Sequence, residues 1–466
     1  MIFFAGCATN ATNRVLVEHC GVRSTPIVID GDLSDWPYGT TVTADDHFLF
    51  FKIELPDPVT IQTADRTHII ELDFDHNIRT GRRIVLSEDE SFGIDLELVY
   101  TPETTSEGTV VVTIMGDGTR VTNDHSVVDV VTAPTYASRS FEIRISRRGT
   151  RDLLNFDATS RVAGRILSRE PAGEGVETLA TFESGTLTSA AESDFRASVS
   201  LPDKPEGAVR VVSWNVWGSA PMKNPKTFGR ILRALDPDVM LLQEWDDADE
   251  ATLIAWYRRH VTETSGWHAK AGPLGVRIVS RHSLEFVDFD SITVNEDPVG
   301  FTAISVMTPL GNVLFGSTHL KCCGTKDSPE EQRRQAEATA ITSFLRELPL
   351  EQRRMLVLGG DINLVGSRKP LDILASGLDA DETGLSPART PILGDAAFYT
   401  WTYPGQHFAP GRLDWLLYSD STLEVVSAFV LDTARLSDAA LRHSELERQD
   451  SRASDHLPVV VDVRRR

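Results

Sequence analysis

The stretch Leu356-Val357-Leu358-Gly359-Gly360-Asp361-Ile362-Asn363 decides the fold of the second half of the chain. Three apolar residues, typical of a buried strand, lead through two glycines to two polar residues. Asp361 and Asn363 are two positions apart, so an extended backbone directs both side chains to the same side. A buried strand that ends in polar groups is typical of an α/β scaffold that builds a site at its strand ends.

The same pattern recurs along residues 209–466. Strand runs of the buried type alternate with helical stretches, which predicts an α/β domain over this range. The polar residues at the ends of these runs are Asn215, Glu244, His319, Asp414, Asp455 and His456. Because separated segments supply them, we expect the carboxylates and imidazoles of this set to converge in one cleft.

The clearest helix of this domain begins at Ser328. Ser328 is predicted as the N-cap, Pro329 as the first helical residue and Glu331 as the partner that closes a capping box. The helix is expected to run to about Leu348. Its predicted buried face consists of Ala336, Ala338, Ile341, Phe344 and Leu345.

Residues 24–168 have a different pattern. Short runs rich in Val, Ile, Thr and Phe recur between turn residues, which predicts an all-β sandwich. Residues 169–208 are predicted to hold a late pair of strands followed by a linker. The predicted fold class is therefore an all-β sandwich followed by an α/β domain.

Composition and charge exclude several classes of protein. The chain of 466 residues is 41% hydrophobic and 24% charged, which is ordinary for globular domains and excludes wholesale disorder and coiled coil. No stretch approaches the roughly 18–20 apolar residues of a spanning helix, so a polytopic membrane protein is excluded. The net charge of −22 disfavours tight nonspecific binding of DNA. The scattered basic pairs, such as Arg333-Arg334, are expected on the solvated surface.

The amino terminus predicts the compartment. Phe3-Phe4-Ala5-Gly6-Cys7 resembles the end of a bacterial lipoprotein signal, in which the cysteine is lipidated. Residues 1–23 are accordingly predicted to be an anchor remnant and tether, with Cys7 as the lipidation site. The protein is then exported, lipid-anchored in the cell envelope or secreted by a bacterium, and meets the membrane through that anchor alone.

The ordered segments Ser-Trp-Asn, Gln-Glu, Thr-His-Leu, Gly-Asp-x-Asn, Leu-Asp-Trp and Ser-Asp-His-x-Pro resemble the endonuclease/exonuclease/phosphatase superfamily. The resemblance covers residues 209–466. It implies a DNase I-like, two-layer α/β sandwich with the four layers α/β/β/α. It also implies metal-dependent hydrolysis of phosphoesters by in-line attack of water on phosphorus.

The candidate metal ligands are Asn215, Glu244 and Asp455. Glu244 is a hard oxygen ligand suited to Mg²⁺, with Mn²⁺ as the alternative. Asn215 can offer its carbonyl oxygen to the metal or its amide to a phosphate. The resemblance places Asp455 near the metal.

The candidate catalytic residues are His319, Asp361, Asn363, Asp414 and His456. Asp361 can orient or deprotonate a water while Asn363 holds a non-bridging oxygen. His456 is a base or a donor to the phosphate, and Asp414 fixes its tautomer. The resemblance makes His319 a second histidine that acts as acid or phosphate donor, and which histidine is the base stays open. Arg277 replaces a small residue of the family pattern and is expected on a solvated strand face.

The first domain resembles family 9-like carbohydrate-binding modules and related sugar- or haem-binding sandwiches. The matching segments are Ile29–Pro37, Asp73–Gly81 and Gly93–Asp95. The alternating side chains of Asp73, Asp75 and Asn77 are candidate ligands of a structural Ca²⁺, with an acidic hairpin loop as the alternative. The resemblance implies contact with a glycan.

Several functions stay open at this point. The substrate class can be nucleic acid, phospholipid, or inositol or sugar phosphate. An alternative from another class is a surface glycan-binding lipoprotein whose hydrolase domain is inactive. A third interpretation is a protein that binds a polysaccharide and cleaves a phosphodiester within it.

Overall fold

The structure, a computed structural model, describes residues 14–16, 27–87, 91–102, 107–148, 161–170, 175–183, 198–263, 266–285, 287, 291–403 and 405–466. Cys7 and its predicted signal lie outside the described residues. In the described part of the chain, no helix combines the length and the hydropathy that a membrane span needs.

The first domain is built from strands alone, apart from short 3₁₀ turns at Leu33–Asp35 and His125–Val128. Its strands are β1 (Arg14–Leu16), β2 (Val42–Ala44), β3 (Phe48–Val59), β4 (Thr67–Asp73), β5 (Arg82–Val85), β6 (Ser91–Ile94), β7 (Leu96–Tyr100), β8 (Thr109–Ile114), β9 (Arg120–Asp124), β10 (Val131–Ala133), β11 (Ser138–Ser146), β12 (Ala163–Arg169) and β13 (Val176–Glu183). Eleven of them form a seven-stranded sheet in the order β1-β13-β12-β4-β7-β8-β9 and a four-stranded sheet in the order β10-β11-β3-β2, and β5 and β6 pair with each other in a separate two-stranded sheet.

The two sheets pack face to face around one apolar core. Phe51, Phe141 and Ile143 of the smaller sheet meet Ile70 and Leu98 of the larger sheet in this core. Aromatic and β-branched residues fill such a half-buried pleated surface well. The prediction of an all-β first domain is confirmed. The predicted boundary at residue 168 falls inside β12, and the larger sheet continues through β13 to Glu183.

The second domain begins with β14 (Val209–Asn215). Its other strands are β15 (Val239–Gln243), β16 (His268–Ala271), β17 (Arg277–Ser280), β18 (Leu284–Glu285), β19 (Thr293–Val294), β20 (Asp297–Pro298), β21 (Gly300–Thr308), β22 (Gly311–His319), β23 (Leu356–Asp361), β24 (Ser386–Pro387), β25 (Asp414–Tyr418), β26 (Leu423–Val430) and β27 (Val459–Arg465). Its helices are α1 (Ala220–Lys223), α2 (Pro225–Leu235), α3 (Glu250–His260), α4 (Pro329–Glu347), α5 (Leu350–Arg353), α6 (Lys369–Ala375) and α7 (Asp438–His443).

Two six-stranded sheets form the centre of this domain. Their orders are β16-β17-β15-β14-β27-β26 and β18-β21-β22-β23-β25-β24. Val211 and Leu241 of the first sheet pack against Phe315 and Val357 of the second. Helices α2 and α3 cover the outer face of the first sheet, and α4 and α6 cover that of the second. This is the predicted α/β/β/α arrangement, and the predicted DNase I-like fold class is confirmed.

Helix α4 agrees with the sequence in its bounds but not in its buried face. The Ser328 hydroxyl caps the helix by accepting the Glu331 N–H at 3.3 Å. The Glu331 side chain does not complete the capping box, because it is buried against Arg334 and the Ser367 hydroxyl. Arg334 is fully buried as well, so the expectation of a solvated Arg333-Arg334 pair is wrong for this residue. Predicted Ala336 and Phe344 are only half-buried.

The register of the second sheet brings the candidate residues to one edge. His319, the last residue of β22, pairs with Asp361, the last residue of β23, and Asp361 pairs with Asp414 at the start of β25. The glycines before Asp361 permit this. A Cβ on Gly360, whose φ is +151°, would lie 1.8 Å from the Thr318 carbonyl oxygen. In the facing sheet, β14 ends at Asn215, and β15 is followed directly by Glu244.

Candidate active site

The centre of the cleft is a buried pair of His456 and Asp414. The His456 Nδ1 lies 2.7 Å from Asp414 Oδ2, and Asp414 is fully buried. The His456 Nε2 faces Asp361 Oδ2 at 3.6 Å. Burial by itself would lower the pKa of His456, but the carboxylates of Asp414 and Asp361 outweigh it and raise the pKa to about 10. The ring is therefore held as an imidazolium with a fixed orientation.

Backbone contacts hold this pair in place. The Thr400 hydroxyl oxygen accepts the Asp414 N–H at 2.9 Å. The Ser454 hydroxyl oxygen accepts the His456 N–H at 3.1 Å, and the Trp214 indole donates to the His456 carbonyl oxygen at 2.9 Å. Hydrogen bonds to the backbone therefore hold both members of the Asp414–His456 pair in place.

Asp361 and Asn363 are in contact, but not through the extended backbone that their spacing predicted, because the strand ends at Asp361. Asp361 Oδ1 accepts the Asn363 N–H at 2.9 Å, while Asp361 Oδ2 points into the cleft. Asn363 has a φ of +52°, and its amide donates to the Leu320 carbonyl oxygen at 3.0 Å. In this conformation the Asn363 amide therefore ties the segment after His319 to the segment after β23.

His319 faces the same opening from β22. Its Nε2 lies 3.6 Å from Asp361 Oδ2 and 3.8 Å from Glu244 Oε1. Both distances are too long for a hydrogen bond, and the three atoms are close enough together to bind one cation. The ring is partly exposed, with 20% of the side chain accessible.

Asn215 and Glu244 form the other wall of the cleft. The Asn215 amide donates to Glu244 Oε1 at 2.9 Å and to Asp361 Oδ2 at 3.1 Å. The Asn215 Oδ1 accepts the Trp217 N–H at 3.0 Å, and Glu244 Oε2 accepts the Gly218 N–H at 2.9 Å. The loop after β14 thereby fixes both candidate metal ligands.

Asp455 completes the set. Its Oδ2 accepts the Trp401 indole N–H at 3.2 Å. Its Oδ1 is buried and has no hydrogen-bond partner among the described residues. Burial raises the pKa of this carboxyl, and the neighbouring Glu244 carboxylate acts in the same direction. A buried oxygen without a partner is costly unless a ligand engages it.

These donors fit a hard divalent cation. Glu244, His319 and Asp361 each offer an atom within 4.8 Å of the others. Asp361, Asp414 and His456 form a second such group, but there the 2.7 Å hydrogen bond already occupies an atom of Asp414 and one of His456. The partly accessible Glu244 carboxylate and the carboxylate of Asp455 are of the ligand type that Mg²⁺ takes, with waters filling its other positions, but Asp455 is not in either of these groups.

Arg277 was not recognised from the sequence as a residue that supports the site. It is 6% exposed, so the expectation of a solvated strand face is wrong. Its guanidinium donates to the carbonyl oxygens of Ala248, Gly272, Val276 and Asp246 at 2.6–3.2 Å. These bonds tie the segment after Glu244 to the β16–β17 hairpin. The available signal was a charged residue inside the apolar run Val276–Val279.

A separate acidic group lies in the first domain. The structure brings Asp73 and Asp75 together with Asp95, within 4.8 Å of one another. Asn77, the third predicted ligand, instead donates its backbone N–H to Asp73 Oδ1 at 3.2 Å and accepts the Arg79 N–H on its side chain at 3.1 Å. Burial and the neighbouring carboxylates raise the pKa of Asp95 to about 7.

Comparison with solved structures finds chains that are similar to a little more than half of this chain. The human Nocturnin catalytic domain is 18% identical, over 57% of this chain and 97% of that domain, with a TM-score of 0.40. An AP endonuclease from Archaeoglobus fulgidus is 16% identical, over 54% of this chain and 98% of that one, with a TM-score of 0.37. An endonuclease/exonuclease/phosphatase family protein from Bacteroides thetaiotaomicron is 16% identical, over 56% and 96% of the two chains, with a TM-score of 0.38.

Comparison with curated proteins finds no match. The family model that matches is that of the endonuclease/exonuclease/phosphatase family, over residues 212–456 of the 466. This range begins in β14 and ends at His456, so it contains every residue of the cleft. The chain belongs to the endonuclease/exonuclease/phosphatase family.

Proposed function

We propose that the cleft hydrolyses phosphoesters with the help of Mg²⁺, for which Mn²⁺ can substitute. One observation carries the proposal. The Asp414–His456 pair faces Asp361 at 3.6 Å, and His319 and Glu244 face Asp361 from the other side of the same opening. Bringing these charged side chains together from separated segments does not stabilise the fold. We therefore propose that they bind one substrate together.

Each residue has a role in this proposal. Asp414 holds the proton on His456 Nδ1, which leaves Nε2 directed toward the cleft. Because the pKa of His456 is raised to about 10, its ring acts as a donor to the phosphoryl oxygens. Asp361 Oδ2 is the carboxylate oxygen that can orient the attacking water and accept its proton. His319 is the second donor, on the side of Glu244.

Glu244 and Asp455 are proposed to hold the cation, with Asn215 orienting Glu244 through its amide. When bound, the cation neutralises the charge that develops on the phosphoryl oxygens. The unpartnered Asp455 Oδ1 supports this assignment.

The test is hydrolysis of bis-(p-nitrophenyl) phosphate with Mg²⁺, with EDTA, and by the His456→Ala variant. We expect turnover that EDTA abolishes and that His456→Ala lowers by roughly 10²–10⁴-fold. A folded wild-type protein that gives no turnover with Mg²⁺ or Mn²⁺ would support the alternative of a glycan-binding protein with an inactive domain. A panel of plasmid DNA, RNA, sphingomyelin and inositol phosphates then identifies the substrate class.

The predictions for the amino-terminal parts stay proposals. We propose lipidation at Cys7, export to the cell envelope, glycan contact by the first domain and Ca²⁺ binding at Asp73 and Asp75. Cell fractionation of a Cys7→Ser variant tests the anchor, because the variant should leave the membrane fraction. A glycan pull-down with the full chain tests the sugar contact.

A further inference from the structure

An exposed indole lies directly beside the candidate active site. Trp217 is 44% exposed, whereas Trp214 and Trp245 nearby are buried. The backbone N–H of Trp217 donates to Asn215 Oδ1, and the backbone N–H of the next residue, Gly218, donates to Glu244 Oε2. Both contacts fix Trp217 to the wall that carries the candidate metal ligands. Its φ of +50° is uncommon for a bulky residue, so these contacts hold the Trp217 backbone in a conformation that it rarely adopts.

A second ring, that of Tyr403, contacts Trp217. Tyr403 packs edge-on against Trp217, with ring centroids 5.4 Å apart and planes at 68°. The residues before Tyr403 are tied to Asp455, since the Thr402 N–H donates to the Asp455 carbonyl oxygen and the Trp401 indole donates to its carboxylate. We call Trp217 and Tyr403 the aromatic shelf. It bridges the segments that hold Glu244 and Asp455.

The geometry points to the aromatic shelf as a subsite for a planar ring carried by the phosphoester, of the nucleobase type. This inference rests on the proposed function. In this inference the phosphate lies between Glu244 and His456. A substituent of the phosphate that leaves the cleft past Asn215 then lies against the Trp217 ring. A fixed, half-exposed indole stacks on planar rings, and it adds little binding energy for small alkyl or polyol groups.

The test compares adenosine 5′-monophosphate with methyl phosphate as competitive inhibitors of bis-(p-nitrophenyl) phosphate hydrolysis. Because stacking of one base contributes roughly 5- to 100-fold in affinity, Trp217→Ala should raise the inhibition constant of the nucleotide by that factor. The constant for methyl phosphate should change by less than about 2-fold, and Trp217→Phe should retain most of the nucleotide affinity. Met222→Ala is the matched control, because Met222 is 43% exposed on the neighbouring α1 but is not part of the shelf.

The aromatic shelf is not a subsite for a planar ring if Trp217→Ala changes the inhibition constants of both inhibitors by the same factor. The same holds if the wild type binds both inhibitors with equal affinity. Calorimetric titration of the two ligands gives the same comparison without turnover. An inactive wild type that still prefers the nucleotide through Trp217 would therefore contradict the proposed function and not the subsite.

A different set of contacts concerns the first domain. The segment 396–413 of the second domain carries Thr400 and Trp401, which contact Asp414 and Asp455, and Trp401 also pairs with His456 through the backbone. The far end of this segment is held by the first domain. The Gln62 side-chain oxygen accepts the Ala409 N–H at 2.7 Å. The Thr135 hydroxyl donates to the Arg412 carbonyl oxygen at 3.0 Å and accepts the Arg412 N–H at 3.1 Å.

The packing at this contact is close. A Cβ on Gly108 would lie 2.5 Å from the Cβ of His407, and a Cβ on Gly411 would lie 2.5 Å from the Cγ2 of Thr135. A buried apolar cluster continues the contact, with Ile29 and Phe50 of the first domain against Leu457, the residue after His456. The first domain therefore packs on both segments that carry the catalytic pair.

From these contacts we infer that Gln62 and Thr135 are positioning residues for the Asp414–His456 pair, so that the first domain is part of the catalytic unit. Thr135→Val removes both hydrogen bonds at nearly constant volume. It should lower kcat by roughly 5- to 20-fold with less than about a 2-fold change in KM, and Thr135→Ser should restore kcat. Thr67→Val is the matched control, because Thr67 makes one buried hydrogen bond inside the first domain.

The inference fails if Thr135→Val leaves kcat unchanged, or if Thr67→Val lowers kcat equally at equal thermal stability. The ring ¹⁵N resonances of His456 report its contact with Asp414 without turnover. A shift of these resonances in Thr135→Val and not in Thr67→Val supports positioning even in an inactive enzyme, which separates this inference from the proposed function.

Discussion

Replacing Asp414 by Asn tests the electrostatics of the catalytic pair directly. Asp414 is fully buried, and its Oδ2 is 2.7 Å from His456 Nδ1. The substitution keeps the volume of the side chain. It removes the negative charge that offsets the cost of burying the His456 imidazolium. Without it, the pKa of His456 should fall from about 10 toward or below the ordinary value of about 6.5. Removing one partner of a buried ion pair costs about 3–5 kcal/mol of stability.

The pH dependence of this cost has a definite sign. His456 binds its proton more tightly in the folded than in the unfolded chain, so its stabilisation is fully present below the unfolded pKa of about 6.5. It is lost as the pH rises through the folded value of about 10. The difference in free energy of unfolding between wild type and Asp414→Asn should therefore be largest near pH 6 and smallest near pH 10.

The assay is urea unfolding at pH 6, 8 and 10 in EDTA, together with NMR titration of the His456 ring. Asp379→Asn is the control, because Asp379 is a buried carboxylate that accepts from the Ser421 N–H and hydroxyl. Asp379 is not among the groups that act on His456, so the NMR titration of the His456 ring should be the same in Asp379→Asn as in the wild type. The reasoning is wrong if the difference in free energy of unfolding between wild type and Asp414→Asn is the same at pH 6 and pH 10. It is also wrong if the His456 ring titrates in Asp414→Asn as it does in the wild type.

Three further predictions concern other parts of the molecule. Gly360→Ala should cost more than about 2 kcal/mol in thermal unfolding because of the overlap with Thr318, while Gly116→Ala, with open space around it, should cost far less. Arg277→Met removes four hydrogen bonds to carbonyl oxygens, of which that of Val276 keeps another donor, the Gly272 N–H; it should cost about 3–5 kcal/mol and weaken Mg²⁺ activation, which a Mg²⁺ titration of activity measures. Asp95→Asn should raise the stability at pH 8 in EDTA but not at pH 4. The pKa of Asp95 in the folded wild type is about 7, so its ionisation destabilises the fold as the pH rises. Ca²⁺ should stabilise the wild type only, and thermal unfolding with and without Ca²⁺ measures both effects.

The residues that the sequence predicted best are those at the ends of buried strands. Asp361 and His319 follow apolar runs in which a charged or ionisable group is out of place, so the sequence pattern marks them without knowledge of the fold. The strand register then brings them opposite each other. Gly360, directly before Asp361, belongs to the same local signal, because only a residue without Cβ fits against Thr318.

The residues that the sequence did not predict depend on partners that are distant along the chain. Arg277 resembles a surface arginine until the Ala248 carbonyl and the β16–β17 hairpin surround it. Arg334 and Glu331 satisfy each other within α4, so burial does not leave either charge unpaired. Asp95 joins Asp73 through a strand pairing that no local pattern indicates. Local periodicity reports which face of an element is apolar, and it does not report which charges find partners.

The contact between the domains also argues against a spacer role for the β-sandwich. Arg144 of the first domain is fully buried and forms a bidentate pair with Asp395 of the second, while Arg435 of the second domain donates to Asp129 of the first at 2.7 and 2.9 Å. Separating the domains would break the Arg144–Asp395 and Arg435–Asp129 hydrogen bonds. It would leave only longer contacts within each domain, Arg144 with Asp129 at 3.9 Å and Arg435 with Asp395 at 3.7 Å, so the separation is destabilising. A flexible spacer gains nothing from such pairs. Because Asp395 lies one residue before the segment 396–413, the same pairs that fix the domains also fix the start of the segment that supports Asp414 and His456.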